Sequence, residues 1–364
     1  MRVLNIINTL NVGGAEKLLT DSIPLLNNNN VFAEVLVLKK SPSFLTDFLT
    51  NNNYKVYELE SFSLYNPLNI FRIIPFLKRY DLIHVHLFPA LYWTAIAKII
   101  SFSKAKLVFT EHSTSNRRWK NRIFQVSDIF IYQQYSEIIC ITEQVKASLL
   151  KNVPRLKSNL KVIENGIDLK VYKNAISIDK HAINSQLVNT DKLIVQVSAF
   201  RIEKDQETLI KAVSYLPENC KLLLVGEGER LVICQQLVRQ LHLENRIFFL
   251  GARNDVPAIL KSADICVLSS HWEGFGLVAV ESMAAGVPII ASNVSGLSNV
   301  VGDERLLFQP GDSKQLAEKI IGLLTDESLY ERLREYCLQR ASKFSIEKTI
   351  IKQIEFYNEV LNRE

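Results

Sequence analysis

The chain has no Asp-x-Asp pair anywhere in its length, which disfavours a transferase that holds its metal between two aspartates. Its five cysteines, Cys140, Cys220, Cys234, Cys266 and Cys337, stand at no paired or metal-binding spacing. That pattern excludes a disulfide framework and reads as buried free thiols in a reducing cytoplasm. The longest apolar run, Leu87 to Phe102, is interrupted by Pro89 and Lys98, so it predicts a buried helix and not a bilayer span. No leader pattern precedes Arg2-Val3-Leu4-Asn5-Ile6-Ile7, which reads as a first strand. A complete Gly-x-Gly-x-x-Gly is also missing. Gly13-Gly14 does not fit it, and Gly226-Glu227-Gly228 runs on to Leu231 where the third glycine belongs. A dinucleotide fingerprint therefore fails, and an NAD-dependent dehydrogenase is disfavoured.

What is present is a globular composition, 48% apolar and 22% charged over 364 residues, enough for two domains with full cores. Short apolar runs alternate with helix-like stretches. The runs are 2–7, 32–38, 54–58, 81–86, 106–110, 137–141 and 160–163, then 192–198, 221–225, 246–250, 264–268 and 288–291. Near-continuous apolar strands between helices predict parallel sheets covered on both faces, in two doubly wound α/β domains. Polar, pattern-poor sequence after the Asn165-Gly166 turn marks the boundary. The expected division is 1–169, 170–344 and a final amphipathic helix, 345–364, that crosses back to the first domain. The asparagine runs 27–30 and 51–53 are read as plain loops. Ligands are expected in a central cleft at the carboxyl ends of the strands.

Charge is divided unevenly. Residues 1–173 carry 22 Lys and Arg against 13 Asp and Glu, and the remainder carries 21 against 25. A basic first half suggests an anionic partner: nucleic acid, a membrane face or a phosphorylated acceptor.

The segment Glu273 to Ser292, EGFGLVAVESMAAGVPIIAS, holds the densest chemistry. Gly286 and Pro288 stop an apolar helix. Glu273 is thereby placed on a loop and Glu281 within the helix. Between them, main-chain N–H groups at Gly276, Leu277 and Val278 form an anion site at the helix start. Carboxylates beside an anion site suit a ligand carrying both phosphate and hydroxyl groups, a sugar nucleotide. Arg201 and Lys204, three residues apart after strand 192–198, are placed to neutralise a diphosphate without a metal, unless they form only a solvated loop. Gly13-Gly14 open a helix after the first strand and allow close approach of an anion. Gly226-Glu227-Gly228 reads best as a strand-end turn. His112 follows strand 106–110 and faces the cleft, or is a satisfied structural histidine. His84 and His86 share a strand face, with no nearby carboxylate or cysteine to complete a metal site. Arg117, Arg118, Trp119, Lys120 and Arg122 form a basic, aromatic segment that suits lipid headgroups or an acceptor phosphate, or a solvated helix face.

Taken in order, GGAE, DLIHVH at 81–86, TEHS at 110–113, ENGID at 164–168, FRIEKD at 200–205, LVGEGE at 224–229 and the E-x7-E segment resemble the retaining family 4 glycosyltransferases of GT-B architecture. The resemblance spans nearly the whole chain. It implies an N-terminal acceptor-binding domain and a C-terminal nucleotide-sugar domain. It further implies that Glu281 meets the ribose, Glu273 the donor sugar, and Arg201 and Lys204 the diphosphate, with Gly274, Phe275, Gly276, Leu277 and Val278 alongside. Gly13 and Gly14 would close over the distal phosphate, His112 would lie beside the transferring sugar, and the base would sit near Arg253 to Val256. Glu164 departs from the pattern, since proline is common there. The expected reaction moves a hexose, from UDP-sugar in preference to GDP-sugar, to a glycan or lipid-linked glycan in bacterial surface polysaccharide synthesis. It needs no metal or cofactor and proceeds with retention. The expected location is the cytoplasm, at the inner face of the plasma membrane. A nucleotide-sugar isomerising enzyme and a non-catalytic carbohydrate-binding protein on the same fold remain the alternatives.

Overall fold

The computed structural model describes residues 1–11, 13–153, 156 and 160–363, apart from the side chain of Arg117. It comprises two compact units, Met1–Gly166 with Ile346–Glu364, and Ile167–Ser345. Each is a Rossmann-like parallel sheet with helices.

In the first unit the strands are β1 (Arg2–Ile7), β2 (Phe32–Val37), β3 (Val56–Glu58), β4 (Leu82–His86), β5 (Lys106–Glu111), β6 (Glu137–Cys140) and β7 (Leu160–Val162). They order as β3-β2-β1-β4-β5-β6-β7, every pair parallel. All five residues of β4 are buried, as expected of a central strand covered on both faces. The helices that concern the argument are α1 (Gly14–Asn28), α2 (Phe44–Asn51), α3 (Asn69–Ile73), α4 (Ala90–Ser101) and α5 (Arg122–Tyr132). The last helix, Ile346–Asn362, buries Ile346, Ile350, Phe356, Tyr357 and Val360 in the same core as β1, β2 and α1. Each such side chain contributes about 1.5–3 kcal/mol on burial.

The second unit holds β8 (Lys192–Val197), β9 (Cys220–Val225), β10 (Ile247–Gly251), β11 (Ile265–Leu268), β12 (Ile289–Ser292) and β13 (Leu307–Phe308), in the order β10-β9-β8-β11-β12-β13. The two-residue β13 escapes a reading by apolar runs because it is too short to show one. It pairs with β12 only through Leu307 and Phe308.

The asparagine runs are helix ends, not plain loops. Asn27 and Asn28 close α1, and Asn30 turns left-handed at φ 61°. The Val31 N–H then donates to Leu26 O at 3.0 Å. Asn51 closes α2, Asn53 turns left-handed at φ 63°, and the Tyr54 N–H donates to Leu49 O at 2.9 Å. Asparagine tolerates this conformation better than other non-glycine residues, so the runs stop two helices in the same way. All five cysteines are buried and free. Among the described residues no helix is long and apolar enough to cross a membrane.

Candidate active site

In the second unit, the chain leaves β8 at a turn seated against the loop after β9. The Phe200 N–H donates to Glu227 O at 2.9 Å, and Phe200 O accepts from the Arg230 N–H at 3.0 Å. Gly226 and Gly228 make this approach possible. A Cβ on the first would collide with Ser198 O and on the second with Phe200 O, and both have positive φ. LVGEGE is thus a strand-end turn that supports the neighbouring basic segment.

That segment continues as a single 3-10 turn, Ile202–Lys204, ended by Asp205 in a left-handed conformation. Asp205 then caps the Gln206–Val213 helix, accepting from the Thr208 hydroxyl at 2.6 Å. The carbonyls here are tied inward. Lys204 O accepts from Gln196 Nε2 at 3.1 Å and Ser269 Oγ at 3.2 Å, and Asp205 O accepts from Ser269 Oγ at 2.7 Å. With its main chain fixed, Lys204 extends its Nζ to within 2.5 Å of Glu273 Oε1. The Ser270 hydroxyl donates to the same oxygen at 3.3 Å. Arg201 stands on the same turn, its carbonyl accepting the Lys204 N–H at 3.0 Å. Its guanidinium is 62% exposed and only 3.9 Å from Glu203.

Glu273 leads into the Leu277–Ala284 helix, which has no side-chain cap. The first amides of any α-helix lack intrahelical acceptors, so this start carries partial positive charge. Gly276 precedes it at φ 84°, and a Cβ there would lie 2.6 Å from Leu297 Cδ1. Glu281 is buried within the helix. Gly286 ends the helix at φ 75°, with its N–H on Met283 O and that of Val287 on Ser282 O. These are the two bonds of a Schellman stop.

Two supports escaped the sequence reading. Gly296 adopts φ 90°, and a Cβ there would lie 2.5 Å from Glu273 O and 2.8 Å from Gly274 O. Ser270 bonds Glu273 directly, as above. Neither stands in a motif with a recognisable spacing, and only Gly296, after a strand end, carried a hint of a turn. The Phe275 side chain belongs to the core, which leaves its main chain on the loop. It is 2% exposed and packs edge-on against Phe344 at 5.4 Å, because an aromatic ring between two glycines goes into the core. Gly274 and Gly276 flank it, and Leu277 and Val278 follow in the first helical turn. Arg253 is held by Asp255 through two bonds of 2.8 and 2.6 Å, just before the helix that opens at Val256.

In the first unit, Gly13 is the N-cap residue and Gly14 the first residue of α1. A Cβ on Gly13 would collide with the Glu16 carboxylate, which folds back over the helix start. His112 follows β5, and its Nε2 lies 3.3 Å from His86 Nδ1. His84 shares hydrogen bonds of 2.6 Å with the hydroxyls of Tyr357 and Thr110. The three imidazoles border a cavity of about 30 Å³. Burial pushes His84 down to about 3, His112 down to about 4 and His86 well below its ordinary value. They are neutral at physiological pH. Among the described residues no cluster of three or more His, Cys, Asp or Glu is placed to hold a metal.

The basic segment 117–122 is not a uniform surface patch. Arg118 is 5% exposed, ion-pairs with Asp128 at 2.8 Å and lies over the Phe88 ring at 4.6 Å. Trp119 is also buried. Both are withdrawn from the lipid or acceptor set, since a charge buried with its partner cannot meet an outside anion. Lys120 and Arg122 are exposed. The side chain of Arg117 lies outside the described residues.

Two parallel-sheet Rossmann-like units with this loop and helix arrangement define a GT-B glycosyltransferase. The model of the family described as Glycosyltransferase Family 4 matches residues 12–171, and that of Glycosyl transferases group 1 matches 177–340. The chain belongs to these glycosyltransferases. It is 29% identical to the N-acetyl-alpha-D-glucosaminyl L-malate synthase of Bacillus anthracis, over 89% of this chain and 86% of that protein. It is 24% identical to the Escherichia coli UDP-Gal:alpha-D-GlcNAc-diphosphoundecaprenol alpha-1,3-galactosyltransferase, over 95% and 94%. The crystal structure of Anabaena Alr3699/HepE in complex with UDP-glucose superposes with a TM-score of 0.86 at 25% identity, over 99% of both chains.

Proposed function

We propose that this glycosyltransferase moves a hexose from a nucleotide-diphosphate sugar, UDP-sugar before GDP-sugar, to a glycan or lipid-linked glycan in bacterial surface polysaccharide synthesis. The observation that carries the donor site is the Lys204–Glu273 pair at the mouth of the uncapped Leu277–Ala284 helix. A cation and a carboxylate meet there, and Glu281 lies buried in the helix that follows. The UDP-glucose complex and the UDP-galactose relative support the choice of nucleotide. The diphosphoundecaprenol acceptor of that relative supports a lipid-linked acceptor.

On this reading residues 170–344 bind the donor and 1–169 the acceptor, with 345–364 returning to the first domain. Glu281 accepts from the ribose hydroxyls, and Glu273 from those of the sugar. Lys204, Arg201 and the amides of Gly276 to Val278 take up charge on the diphosphate. Gly274 and the main chain of Phe275 border the sugar, and the main chain from Arg253 to Val256 meets the base. Gly13, Gly14 and His112 are assigned to the donor phosphate and sugar by the family resemblance. In the reaction, the bond from the anomeric carbon to the diphosphate oxygen breaks. The acceptor oxygen bonds to that carbon on the same face, and its proton passes to the leaving phosphate. Two cations and a helix start supply the stabilisation that a metal supplies elsewhere, so the reaction is metal-independent. The protein works at the cytoplasmic face of the membrane.

A panel of nucleotide sugars tested by thermal shift identifies the donor, with UDP-sugars expected to raise the melting temperature most. No shift with any of them would overturn the proposal. Glu281→Ala should weaken nucleotide binding by about tenfold or more, the scale of one hydrogen bond to a charged group. Unchanged affinity in calorimetry would remove Glu281 from the ribose.

A further inference from the structure

The Lys204–Glu273 pair has a neighbour that joins the same two segments. Asp205 follows Lys204, and His271-Trp272 precedes Glu273. His271 Nε2 stands 3.6 Å from Asp205 Oδ2. The main chains join as well, the His271 N–H donating to Glu203 O at 2.8 Å. The turn after β8 and the loop before the Leu277–Ala284 helix are thus linked by two side-chain rungs and one main-chain bond. Histidine is the side chain whose charge ordinarily changes between about pH 5 and 8, so one of the two rungs is titratable.

Asp205 is firmly held. Its side chain is 9% exposed, and it caps the Gln206–Val213 helix from a left-handed φ of 44° while accepting from the Thr208 hydroxyl at 2.6 Å. Burial pushes its carboxyl above the ordinary carboxylate value, and the Thr208 hydroxyl and the imidazole oppose that. Glu207 adds to the rise and itself pairs with Arg230. The other charges near the imidazole have partners of their own. The Glu203 carboxylate lies 3.9 Å from Arg201, and Glu273 lies on Lys204. The His271 side chain is 41% exposed, and its ring stacks on Trp272 with centroids 6.3 Å apart and planes at 26°. Asp205 is therefore the acid that faces the imidazole.

We propose that His271 is a positioning residue for the donor: in its charged form it pairs with Asp205 and holds the Glu273 loop against the Lys204 turn, so that the donor binds most tightly when His271 is protonated. The inference rests on the reading of Lys204 and Glu273 as donor contacts. On that reading an arriving diphosphate would compete for Lys204 and loosen the first rung, and the His271–Asp205 rung keeps the two segments together while it does so. The donor supplies no titration of its own. Each phosphorus of a nucleotide-diphosphate sugar bears a single, strongly acidic oxygen, so a change in affinity near neutral pH belongs to the protein.

Calorimetry of the full chain with UDP-glucose at pH 6 and pH 8 tests this. Kd is expected to rise about threefold over that interval, the scale of an ion pair with one exposed partner. His271→Gln keeps the main-chain bond to Glu203 and should bind equally at both values, with the weaker affinity. His271→Lys, charged throughout, should bind equally at both with the tighter one. Asp205→Asn can still cap the helix and adopt the left-handed conformation, and should behave like His271→Gln. A second readout needs no donor. A charged imidazole against Trp272 quenches its emission, and Asp205→Asn should displace the pH titration of that emission, with Trp272→Phe supplying the background. Circular dichroism establishes that each variant is folded. A wild-type Kd indifferent to pH overturns the inference, as does a pH dependence that His271→Gln retains or a Trp272 titration that Asp205→Asn leaves in place. Loss of the pH dependence in His271→Gln but not in Asp205→Asn makes His271 a direct donor contact and overturns the positioning role as well. If UDP-glucose and the rest of the nucleotide-sugar panel bind at neither pH while Asp205→Asn still displaces the Trp272 titration, the ion pair stands, but the donor reading fails and this role falls with it.

Discussion

Lys204 Nζ lies 2.5 Å from Glu273 Oε1, across 69 residues of sequence. The lysine comes from the turn after β8, and the glutamate from the loop before the Leu277–Ala284 helix. The pair is part-buried, with side-chain exposures of 23% and 13%. If the proposed donor site is right, an arriving diphosphate would compete with Glu273 for the ammonium and free the carboxylate to accept from sugar hydroxyls. Lys204→Met should lower kcat/KM by roughly 10²–10³, the loss seen when one donor to developing negative charge is removed. Steady-state kinetics with the donor found by thermal shift checks this, and a change under threefold would take Lys204 out of the reaction.

Gly296 offers a test of how that loop is held. A methyl group there must displace Glu273 O or Gly274 O and must also accept φ 90°. Gly296→Ala should cost about 1–3 kcal/mol of stability and also weaken donor binding. Gly311 has a similar φ of 83° but nothing within 4 Å of the new Cβ. Gly311→Ala should therefore leave donor affinity unchanged. Equal affinities in the two variants would show that the contact with Glu273 is immaterial.

The three histidines predict a pH dependence of stability. Their folded pKa values lie below the ordinary one, at about 3 for His84 and about 4 for His112. The unfolded chain therefore binds protons first as pH falls, and stability drops from about pH 6.5 towards about pH 3. It is fully retained above pH 6.5. His84→Gln should flatten this part of the profile, because its hydrogen bonds to Thr110 and Tyr357 need no titratable ring. Melting temperatures at pH 7 and pH 5 measure it, and parallel losses in wild type and variant would refute the assignment.

Arg118 makes a strong stability prediction. Removing it leaves the Asp128 carboxylate, 0% exposed, without its cation. Burial already raises Asp128 above the ordinary carboxylate value. Arg118→Ala should cost about 3–5 kcal/mol, the scale of breaking a buried ion pair. Denaturant unfolding reads the loss, and a cost under about 1 kcal/mol, typical of exposed pairs, would return Arg118 to the surface.

Much of the fold was legible because parallel strands covered on both faces must be apolar along their length. The apolar runs marked all strands except β13, whose two residues carry no periodic signal. The local structure from Glu273 to Gly286 was legible for a similar reason. Glycine, proline and the helix period act locally, so the loop, the helix start and the stop at Gly286 followed from neighbours in sequence. The asparagine runs were misjudged because a helix end and a loop share the same polar composition.

The amino-acid order alone determined the two sheets, the helix after Glu273 and the resemblance that names the family, since each depends on contacts close in sequence or on motif order. Tertiary structure decided which charges are available. Arg118 and Lys120 look alike in sequence, yet one is buried against Asp128 and the other faces water. Lys204 found Glu273, His84 found Tyr357, and His271 found Asp205. The reason is physical: burial and partner choice depend on which distant segments pack together, and side-chain spacing along the chain carries no record of that.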